Sequence, residues 1–310
     1  MIPPPSKISL DWSNFCVAST PASRARTSPE LLKIHIRSGI LRSVLRKGDP
    51  VSIRLVKLFV AAIALLISCY PANAQQAAAK TAPWGYAGSD GPDHWGDLDA
   101  AYAACKTGQH QSPLDIDDPV VEQNLAPIRF DYKLSPLKIV NTGETIRIDY
   151  QKGSSIIING VSLPLVQFHF HHPSETEING RKYDMELHLV HQDAAAGRTA
   201  VVSILIKNGS ESALLRDLLA HAPRKPNGAA DLKKIVINAA DFLPSDQNYY
   251  VFDGSLTTPP CSENVKWYVL KTPIEASAAQ IEAFAKLYPD NARPVQPLNG
   301  RTVLESDFKK

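Results

Sequence analysis

Long hydrophobic runs are scarce in this 310-residue sequence. The apolar run at residues 58–68 is shorter than the roughly 20 residues that a membrane-spanning helix needs, so we expect no membrane span. Arg54 and Lys57 precede the run, and Ala72-Asn73-Ala74 follows it. A basic segment, a short apolar core and an Ala-x-Ala site are typical of a secretory signal peptide. The sequence therefore predicts export, to the periplasm or the medium, after cleavage behind Ala74.

Two alternatives stay open in this N-terminal quarter. Leu66-Ile67-Ser68-Cys69 resembles a bacterial lipobox, and cleavage before Cys69 would give a lipid-anchored protein, the less favoured outcome. Residues 1–50 are rich in Ser and Arg, which fits either an organellar transit peptide or, preferably, an over-extended translation start with the true start near Val51. We predict an extension at 1–50, a signal peptide at 51–74 and one domain at 75–310.

A strong charge of either sign is also lacking, since the formal net charge is +2. Residues 1–74 hold ten of the 33 Lys and Arg but three of the 31 Asp and Glu, so the remainder carries −5 (23 basic against 28 acidic). An acidic mature chain argues against nucleic acid as a partner. We expect a small-molecule substrate instead.

Cysteine is rare, with four residues in the whole chain and two, Cys105 and Cys261, after residue 74. An even number of cysteines in an exported protein suggests a disulfide, here one that closes a long loop. Two free, buried thiols are the alternative.

Helical periodicity is confined to residues 212–221 and 277–287, where leucine, isoleucine and phenylalanine recur at helical spacing, and a further short helix is expected at 97–105. Short β-branched or alternating segments dominate the rest. They lie at 128–132, 137–141, 145–150, 155–158, 161–171, 199–207 and 265–270, with a Pro-interrupted edge or crossing segment at 293–298. Residues 199–207 are almost wholly apolar, as in a central strand covered on both faces. We predict a single, mainly β domain with a large central sheet and small peripheral helices.

Histidines alternate along one of these predicted strands. Gln167, His169 and His171 share one face, and the intervening phenylalanines share the other. A second segment places His188 on the same face as Glu186. An Asn-Gly pair between the two segments is a strong hairpin signal. Pairing of the segments would bring three imidazoles together above an apolar layer.

Three histidines on rigid strands suit a catalytic zinc, which keeps three protein ligands and one open position. Gln167 and Glu186 each stand two residues before a histidine on the same face, where an acceptor can fix the orientation of an imidazole ring. A lone His-x-His is a weak signal, and ordinary polar residues on a half-solvated sheet are the alternative. The added Glu-x-His on a partner strand favours the metal site.

Several motifs together resemble one family. They are Gln-Phe-His-Phe-His (167–171), Glu-Leu-His-Leu-Val-His (186–191), Ser-Leu-Thr-Thr-Pro-Pro-Cys (255–261), Gln-Ser-Pro (111–113) and Trp-Gly-Tyr (84–86). The combination is similar to an α-class carbonic anhydrase of the exported bacterial type, from about residue 84 to residue 301. The resemblance implies a twisted, mostly antiparallel sheet of about ten strands. It also implies an enzyme, monomeric or homodimeric, that uses zinc and hydroxide to hydrate carbon dioxide reversibly to bicarbonate and a proton.

The resemblance assigns the zinc ligands to His169, His171 and His188, with Gln167 and Glu186 as their hydrogen-bond partners. It assigns to Thr257 a hydroxyl that accepts from the hydroxide and donates to a buried carboxylate, and to Glu175 that carboxylate. The residues that would receive carbon dioxide are Val190, Val201, Leu256, Trp267 and Thr258. Cys105 and Cys261 fall where bacterial relatives have a disulfide, which would tether the Thr257 loop to the N-terminal segment.

Glu144 marks the one departure at a working position. The family's best-known members carry a proton-shuttle histidine near Asn-x-Gly-His, whereas this sequence reads Asn-Thr-Gly-Glu at 141–144. Carboxyl side chains of glutamate titrate near 4.3 and imidazoles near 6.5, so glutamate matches a donor near 7 poorly. We therefore expect slow proton release. The other histidines are predicted to be structural or surface residues: His94, His110, His172, His191 and His221.

Two other interpretations compete. A cupin-like metal-binding module would use Glu175 as a ligand four residues after His171, with iron or manganese as the metal. It leaves the Leu-Thr-Thr-Pro-Pro loop unexplained. A catalytically inactive relative that only binds a ligand is the third reading, although all three histidines are present.

Overall fold

The computed structural model describes residues 81–308. The extension at 1–50, the signal peptide at 51–74 and Cys69 lie outside the described residues, so those expectations stay predictions. Within 81–308, no helix is long and apolar enough to cross a membrane.

Strands supply most of the regular structure. Those within residues 81–308 are β1 Asp115–Ile116, β2 Val120–Val121, β3 Arg129–Asp131, β4 Ser135–Asn141, β5 Ile146–Asp149, β6 Ser155–Ile158, β7 Val161–His171, β8 Glu177–Ile178, β9 Arg181–Lys182, β10 Met185–Asp193, β11 Arg198–Asn208, β12 Ala229–Ile237, β13 Tyr249–Ser255, β14 Glu263–Ala276 and β15 Leu304–Glu305.

Twelve strands form one sheet. Its main path runs β12-β4-β5-β7-β10-β11-β14-β13-β15-β2, with β3 and β6 attached to the side of β7. Pairing is antiparallel except at β11–β14 and β15–β2. The predicted sheet of about ten mostly antiparallel strands is therefore confirmed. A second, three-stranded sheet joins β1, β8 and β9.

The central strands are buried on both faces, which explains their composition. Strand β11 has seven consecutive buried residues, as its continuous apolar run predicts. On one face Phe168 and Phe170 join a large apolar core with the residues of α-helices and outer strands. On the other face a smaller cluster surrounds Val201 and Trp267. The sheet thus separates the main core from the face that carries the histidines.

Helices are short and peripheral: α1 Trp95–Leu98, α2 Ala104–Thr107, α3 Ala213–His221 and α4 Ala278–Ala285. The predicted helix at 97–105 is wrong as one element. It is divided by extended Asp99, whose carboxylate accepts from the Ala101 N–H and caps a 3₁₀ turn at Ala100–Tyr102. A side-chain acceptor at the N-cap starts the backbone turn anew, so two short helices form where periodicity suggests one.

One strand boundary needs correction, because the strand expected at 265–270 extends over Glu263–Ala276. Residues 293–298 form no strand, in agreement with the crossing-segment alternative. Among the longer strands, β12 and β13 were not predicted from the sequence. In β13, Gly254 interrupts the pattern, because a Cβ there would lie 2.1 Å from the Ser112 hydroxyl oxygen. Glycine in a strand marks such a close approach.

The Asn179–Gly180 turn has a different place from the one expected. It closes the small β8–β9 hairpin, which pairs with β1, rather than joining the two histidine strands directly. Strands β7 and β10 still pair antiparallel, with this hairpin inside their connection. The turn was therefore predicted correctly, but the two strands that it joins were not.

A disulfide joins Cys105 in α2 to Cys261, across 156 residues of sequence. Cys261 is fully buried in the loop between β13 and β14. The predicted pairing is confirmed, and it fastens the N-terminal segment to the loop that contains Thr257.

Removal of this crosslink should destabilise the protein. For Cys105→Ala, Cys261→Ala and the double variant, we expect the free energy of unfolding to fall by about 2–4 kcal/mol, because the crosslink restricts the unfolded chain. Guanidinium denaturation measures the change. Each single variant should lose about as much as the double variant, since either change removes the same bond. Unchanged midpoints would contradict the role assigned to the disulfide.

Candidate metal centre

Three imidazoles meet at the centre of the sheet. The antiparallel register of β7 and β10 sets His169 opposite His188 and His171 opposite Glu186. The ring centroids lie 5.1 Å apart for His169 and His171, 5.3 Å for His169 and His188, and 4.5 Å for His171 and His188. One nitrogen of each ring lies within 4.8 Å of the others. Two antiparallel strands have therefore brought together a potential metal-ligand set.

Each ring uses one nitrogen for a hydrogen bond and leaves the other free. His169 Nδ1 lies 2.9 Å from Gln167 Oε1, and His188 Nε2 lies 2.9 Å from Glu186 Oε1. His171 Nδ1 lies 2.7 Å from the Asn291 carbonyl oxygen. Because all three partners are acceptors, each of these nitrogens must carry the proton. Lone pairs then remain on Nε2 of the β7 histidines and on Nδ1 of the β10 histidine.

The free nitrogens are suited to a cation. His171 Nε2 is buried and has no hydrogen-bond partner, which is costly for a polar atom unless a ligand binds it. Burial lowers the pKa of His171, and burial with the neighbouring imidazoles His171 and His188 lowers that of His169 far below the usual range. His169 and His171 therefore stay neutral at neutral pH, which is the form that binds metal. Three converging nitrogen donors fit zinc.

Glu186 anchors one side of the centre as a buried carboxylate. Besides His188, it accepts from the Glu175 and Thr176 N–H groups and from the hydroxyls of Thr176 and Ser203. Burial opposes its ionisation, but His188 and these donors outweigh burial and hold the pKa at about 2. Glu186 therefore keeps its negative charge beside the rings.

Glu175 lies in the loop after β7 and is also fully buried. Its Oε1 accepts from the Arg293 backbone N–H at 2.8 Å, and the Thr257 side chain interacts with the same carboxylate. Burial raises its pKa to about 7, against the opposing influence of His188. Glu175 Oε2 lies 3.9 Å from His188 Nδ1, so the structure brings the predicted Thr257 and Glu175 pair to the edge of the histidine group.

An apolar wall stands beside the rings, in one row across neighbouring strands. Register pairs Val190 with Val201, and Val201 with Trp267. The Trp267 ring centroid lies 4.9 Å from that of His188, and Leu256 packs on the same cluster. The four predicted apolar residues therefore do lie together. Thr258 follows Thr257 and is partly buried.

Glu144 is partly exposed in the turn between β4 and β5. Its backbone carbonyl accepts from the Asn291 side chain at 2.9 Å. Burial is the main cause that raises the pKa of the Tyr86 and Tyr288 hydroxyls, and the nearby charge of Glu144 raises both further.

The sequence patterns missed Asn291 and Arg293. Both follow α4 in an irregular segment, and Asn291 also donates from its side chain to the Phe170 carbonyl. Strand alternation shows which side chains share a face, but it carries no signal for a carbonyl oxygen 120 residues away. A Gln-Ser-Pro motif offered no hint that its glutamine contacts Arg293.

The remaining histidines lie apart from the group. His191 is buried on β10, and its Nε2 lies 2.9 Å from the Tyr132 hydroxyl. His172 and His221 hydrogen bond to backbone carbonyls of Pro289 and Asp217. Among residues 81–308, His169, His171 and His188 are the one cluster of potential metal ligands. Glu175 is not a member, so the ligand set differs from the cupin-like alternative.

Fold and site together define a protein with a large β-sheet and a buried three-histidine group suited to a metal ion. A profile of the family "Eukaryotic-type carbonic anhydrase" matches residues 90–307, well over half of the chain. The chain belongs to this family of zinc enzymes, which excludes the cupin-like alternative. A carbonic anhydrase from Nostoc sp. is 43% identical over 236 residues, covering 74% of this chain and 88% of the relative.

Two further comparisons agree. A carbonic anhydrase from Klebsiella pneumoniae is 42% identical over 226 residues, covering 72% of this chain and 90% of the relative. The α-carbonic anhydrase of Thermovibrio ammonificans, solved in complex with the inhibitor sulfanilamide, superposes with a TM-score of 0.70 at 42% identity. That alignment covers 73% of this chain and 100% of the solved one.

Loss of any ring should abolish metal binding. In His169→Ala, His171→Ala or His188→Ala, we expect zinc to fall well below one ion per purified chain, since two imidazoles cannot complete the set. Elemental analysis of the folded variants measures it. His221→Ala is the matched control, because that exposed ring hydrogen bonds only within its own helix region. Full zinc content in any of the three variants would remove that residue from the ligand set.

Proposed function

We propose that this chain catalyses the reversible hydration of carbon dioxide to bicarbonate and a proton, with Zn²⁺ held by His169 Nε2, His171 Nε2 and His188 Nδ1. One observation carries the proposal. Each of the three imidazoles has one nitrogen fixed by an acceptor and one nitrogen free, and the free nitrogens converge. Family membership supports the reaction.

The Lewis acidity that makes water a nucleophile near neutral pH is supplied by the zinc ion when it is bound; for carbonic anhydrases the pKa of that water is known to be about 7. The chain's own residues tune the site. Gln167, Glu186 and the Asn291 carbonyl hold the rings in one tautomer and one orientation. Neutral imidazole donors leave the charge of the cation uncompensated.

Thr257 and Glu175 would orient the nucleophile. The ionised form of Glu175 can only accept, so a Thr257 hydroxyl that donates to it keeps its lone pairs for the nucleophile. The backbone N–H of Arg293 fixes the carboxylate from its other side. An acceptor held in this way restricts how the nucleophile turns toward the substrate carbon.

The substrate is assigned to the apolar wall of Val190, Val201, Leu256 and Trp267, with Thr258 at its edge. Carbon dioxide has no net dipole and few hydrogen-bonding demands. An apolar surface beside the rings can therefore bind carbon dioxide without hydrogen bonds, and the same surface excludes water from that side.

The same proposal extends to the compartment and the domain limits. The signal peptide at 51–74 would export a domain of residues 75–310, as a monomer or a homodimer. The Cys105–Cys261 disulfide supports an oxidising location, the periplasm or the medium.

Stopped-flow carbon dioxide hydration tests the activity. Purified, zinc-loaded protein should accelerate hydration, a strong chelator should abolish the acceleration, and added zinc should restore it. Loss of the metal removes the nucleophile's activation, while the disulfide-bonded fold remains. A zinc-loaded, folded protein without activity would support the inactive-relative alternative and overturn this proposal.

Proton release is the step where Glu144 matters. It stands at the expected shuttle position, partly exposed, in place of histidine. A carboxylate is a weak acceptor for a proton from a donor near 7, so we propose that protons leave through water or directly to buffer. Proton transfer, rather than attack on carbon dioxide, then limits kcat.

Buffer dependence tests this assignment. The kcat of the wild type should climb with the concentration of a small imidazole buffer, while kcat/KM, which reports the carbon dioxide step, stays nearly flat. Glu144→His should raise kcat at low buffer and weaken the dependence. Glu144→Gln is the matched control and should behave like the wild type. A wild-type kcat independent of buffer, together with a drop in Glu144→Gln, would show that Glu144 itself carries the proton.

A further inference from the structure

Gln111 stands between the two segments that carry Thr257 and Glu175. Its side chain is buried, and all of its amide contacts reach distant parts of the chain. Oε1 accepts from Arg293 Nη1 at 2.9 Å. Nε2 donates to the Cys261 carbonyl oxygen at 3.0 Å and to Glu263 Oε1 at 3.1 Å. A single amide thus joins the loop after β13 to the segment after α4.

The amide fits in only one orientation. A guanidinium can only donate, so it must face Oε1, and a carbonyl and a carboxylate can only accept, so they must face the NH₂ group. Glu263 is held ionised: burial opposes this, but donation from Gln111 and the His110 N–H lowers its pKa. Space is equally restricted, because a Cβ on Gly108 would lie 2.3 Å from Gln111 Nε2. Rotation of the amide would break every contact at once.

Arg293 leads from Gln111 to Glu175. Its guanidinium is buried and also donates to the Ser112 and Cys105 carbonyl oxygens, at 2.8 and 3.1 Å. Burial lowers its pKa to about 10, so the side chain keeps its charge at neutral pH. Its backbone N–H donates to Glu175 Oε1. The three acceptors thus fix the Arg293 side chain, and the backbone N–H of the same residue holds the Glu175 carboxylate.

Cys261 leads from Gln111 to Thr257. The loop between β13 and β14 closes through two backbone bonds, Leu256 N–H to the Ser262 carbonyl at 3.0 Å and Cys261 N–H to the Thr258 carbonyl at 2.8 Å. Thr257 lies inside this loop. Gln111 donates to the Cys261 carbonyl oxygen, and the disulfide holds the Cys261 side chain. The disulfide limits how far Cys261 can move, and the hydrogen bond also fixes the orientation of its carbonyl group.

We propose that Gln111 is a positioning residue for the hydration reaction, which sets Thr257 relative to Glu175 by holding Cys261 on one side and Arg293 on the other. Its side-chain hydrogen bonds go to Cys261, Glu263 and Arg293, none of which is a metal ligand or part of the substrate wall. The inference rests on the proposed function, because it assigns Gln111 an effect on the step that Thr257 and Glu175 serve.

Gln111→Met tests the role, since methionine has a similar length and no amide. We expect kcat/KM for carbon dioxide hydration to fall about 10- to 100-fold, as misplaced reacting groups typically cost, while zinc content and the disulfide stay intact. The buffer-limited kcat should fall much less. Gln109→Met, two residues away on an exposed side chain, is the matched control and should keep wild-type kinetics. Gln111→Asn keeps the amide but is too short to bridge, so it should show the same fall in kcat/KM and provides the test if Gln111→Met folds poorly.

A merely structural glutamine would behave differently. It would lower kcat and kcat/KM together, in proportion to the active fraction. In a Thr257→Ala background, where the group to be positioned is absent, Gln111→Met should have almost no further effect on kcat/KM. Additive losses in the double variant would overturn the proposal.

Amide hydrogen exchange on the zinc-free protein gives a readout without activity. In Gln111→Met, the Leu256, Cys261 and Arg293 amides should lose protection, while amides of β7 and β10 keep theirs. Unchanged protection at these three amides, or an equal loss across the sheet, would contradict the inference. Wild-type protein that fails to hydrate carbon dioxide would reject the proposed function instead, and the exchange result would still report on the contacts.

Discussion

The backbone hydrogen bonds between β7 and β10 fix the relative positions of the three imidazoles at the metal centre. They pair His169 with His188 and His171 with Glu186, so three rings and one carboxylate emerge on the same face. The side-chain period of a strand is two, and a slip of one residue in either strand would send that strand's histidines toward the opposite apolar core. Phe168 and Phe170, buried in that core, resist such a slip. The large apolar core on one face of the sheet therefore protects the geometry of the site on the other face.

Buried polar groups on this face are numerous, and hydrogen bonds to other parts of the chain help to stabilise them. Glu186 and Glu175 are both fully buried, yet each has an N–H donor supplied by a different part of the chain. Unpaired carboxylates at this depth would be strongly destabilising. Long-range contacts thus have two effects here, since they stabilise the buried charges and orient the groups that the chemistry uses.

Strand alternation and residue type were enough to predict the centre of the site. The period of two placed Gln167 and Glu186 beside histidines on β7 and β10, and the contacts are present. Patterns failed where the structure depends on contacts distant in sequence. Asn291 reaches His171 across 120 residues, and no local rule encodes that approach. The helix expected at 97–105 failed for a local reason, because Asp99 caps a new turn within it.

Three imidazoles, oriented by acceptors on their other nitrogens, are proposed to form the whole protein contribution to the metal. Zinc X-ray absorption on the metal-loaded protein tests this most directly. We expect three imidazole nitrogens at about 2.0–2.1 Å, one further light atom and no sulfur. Two imidazoles with a protein carboxylate in the first shell, as a Glu175 ligand would give, or a sulfur near 2.3 Å, would contradict it.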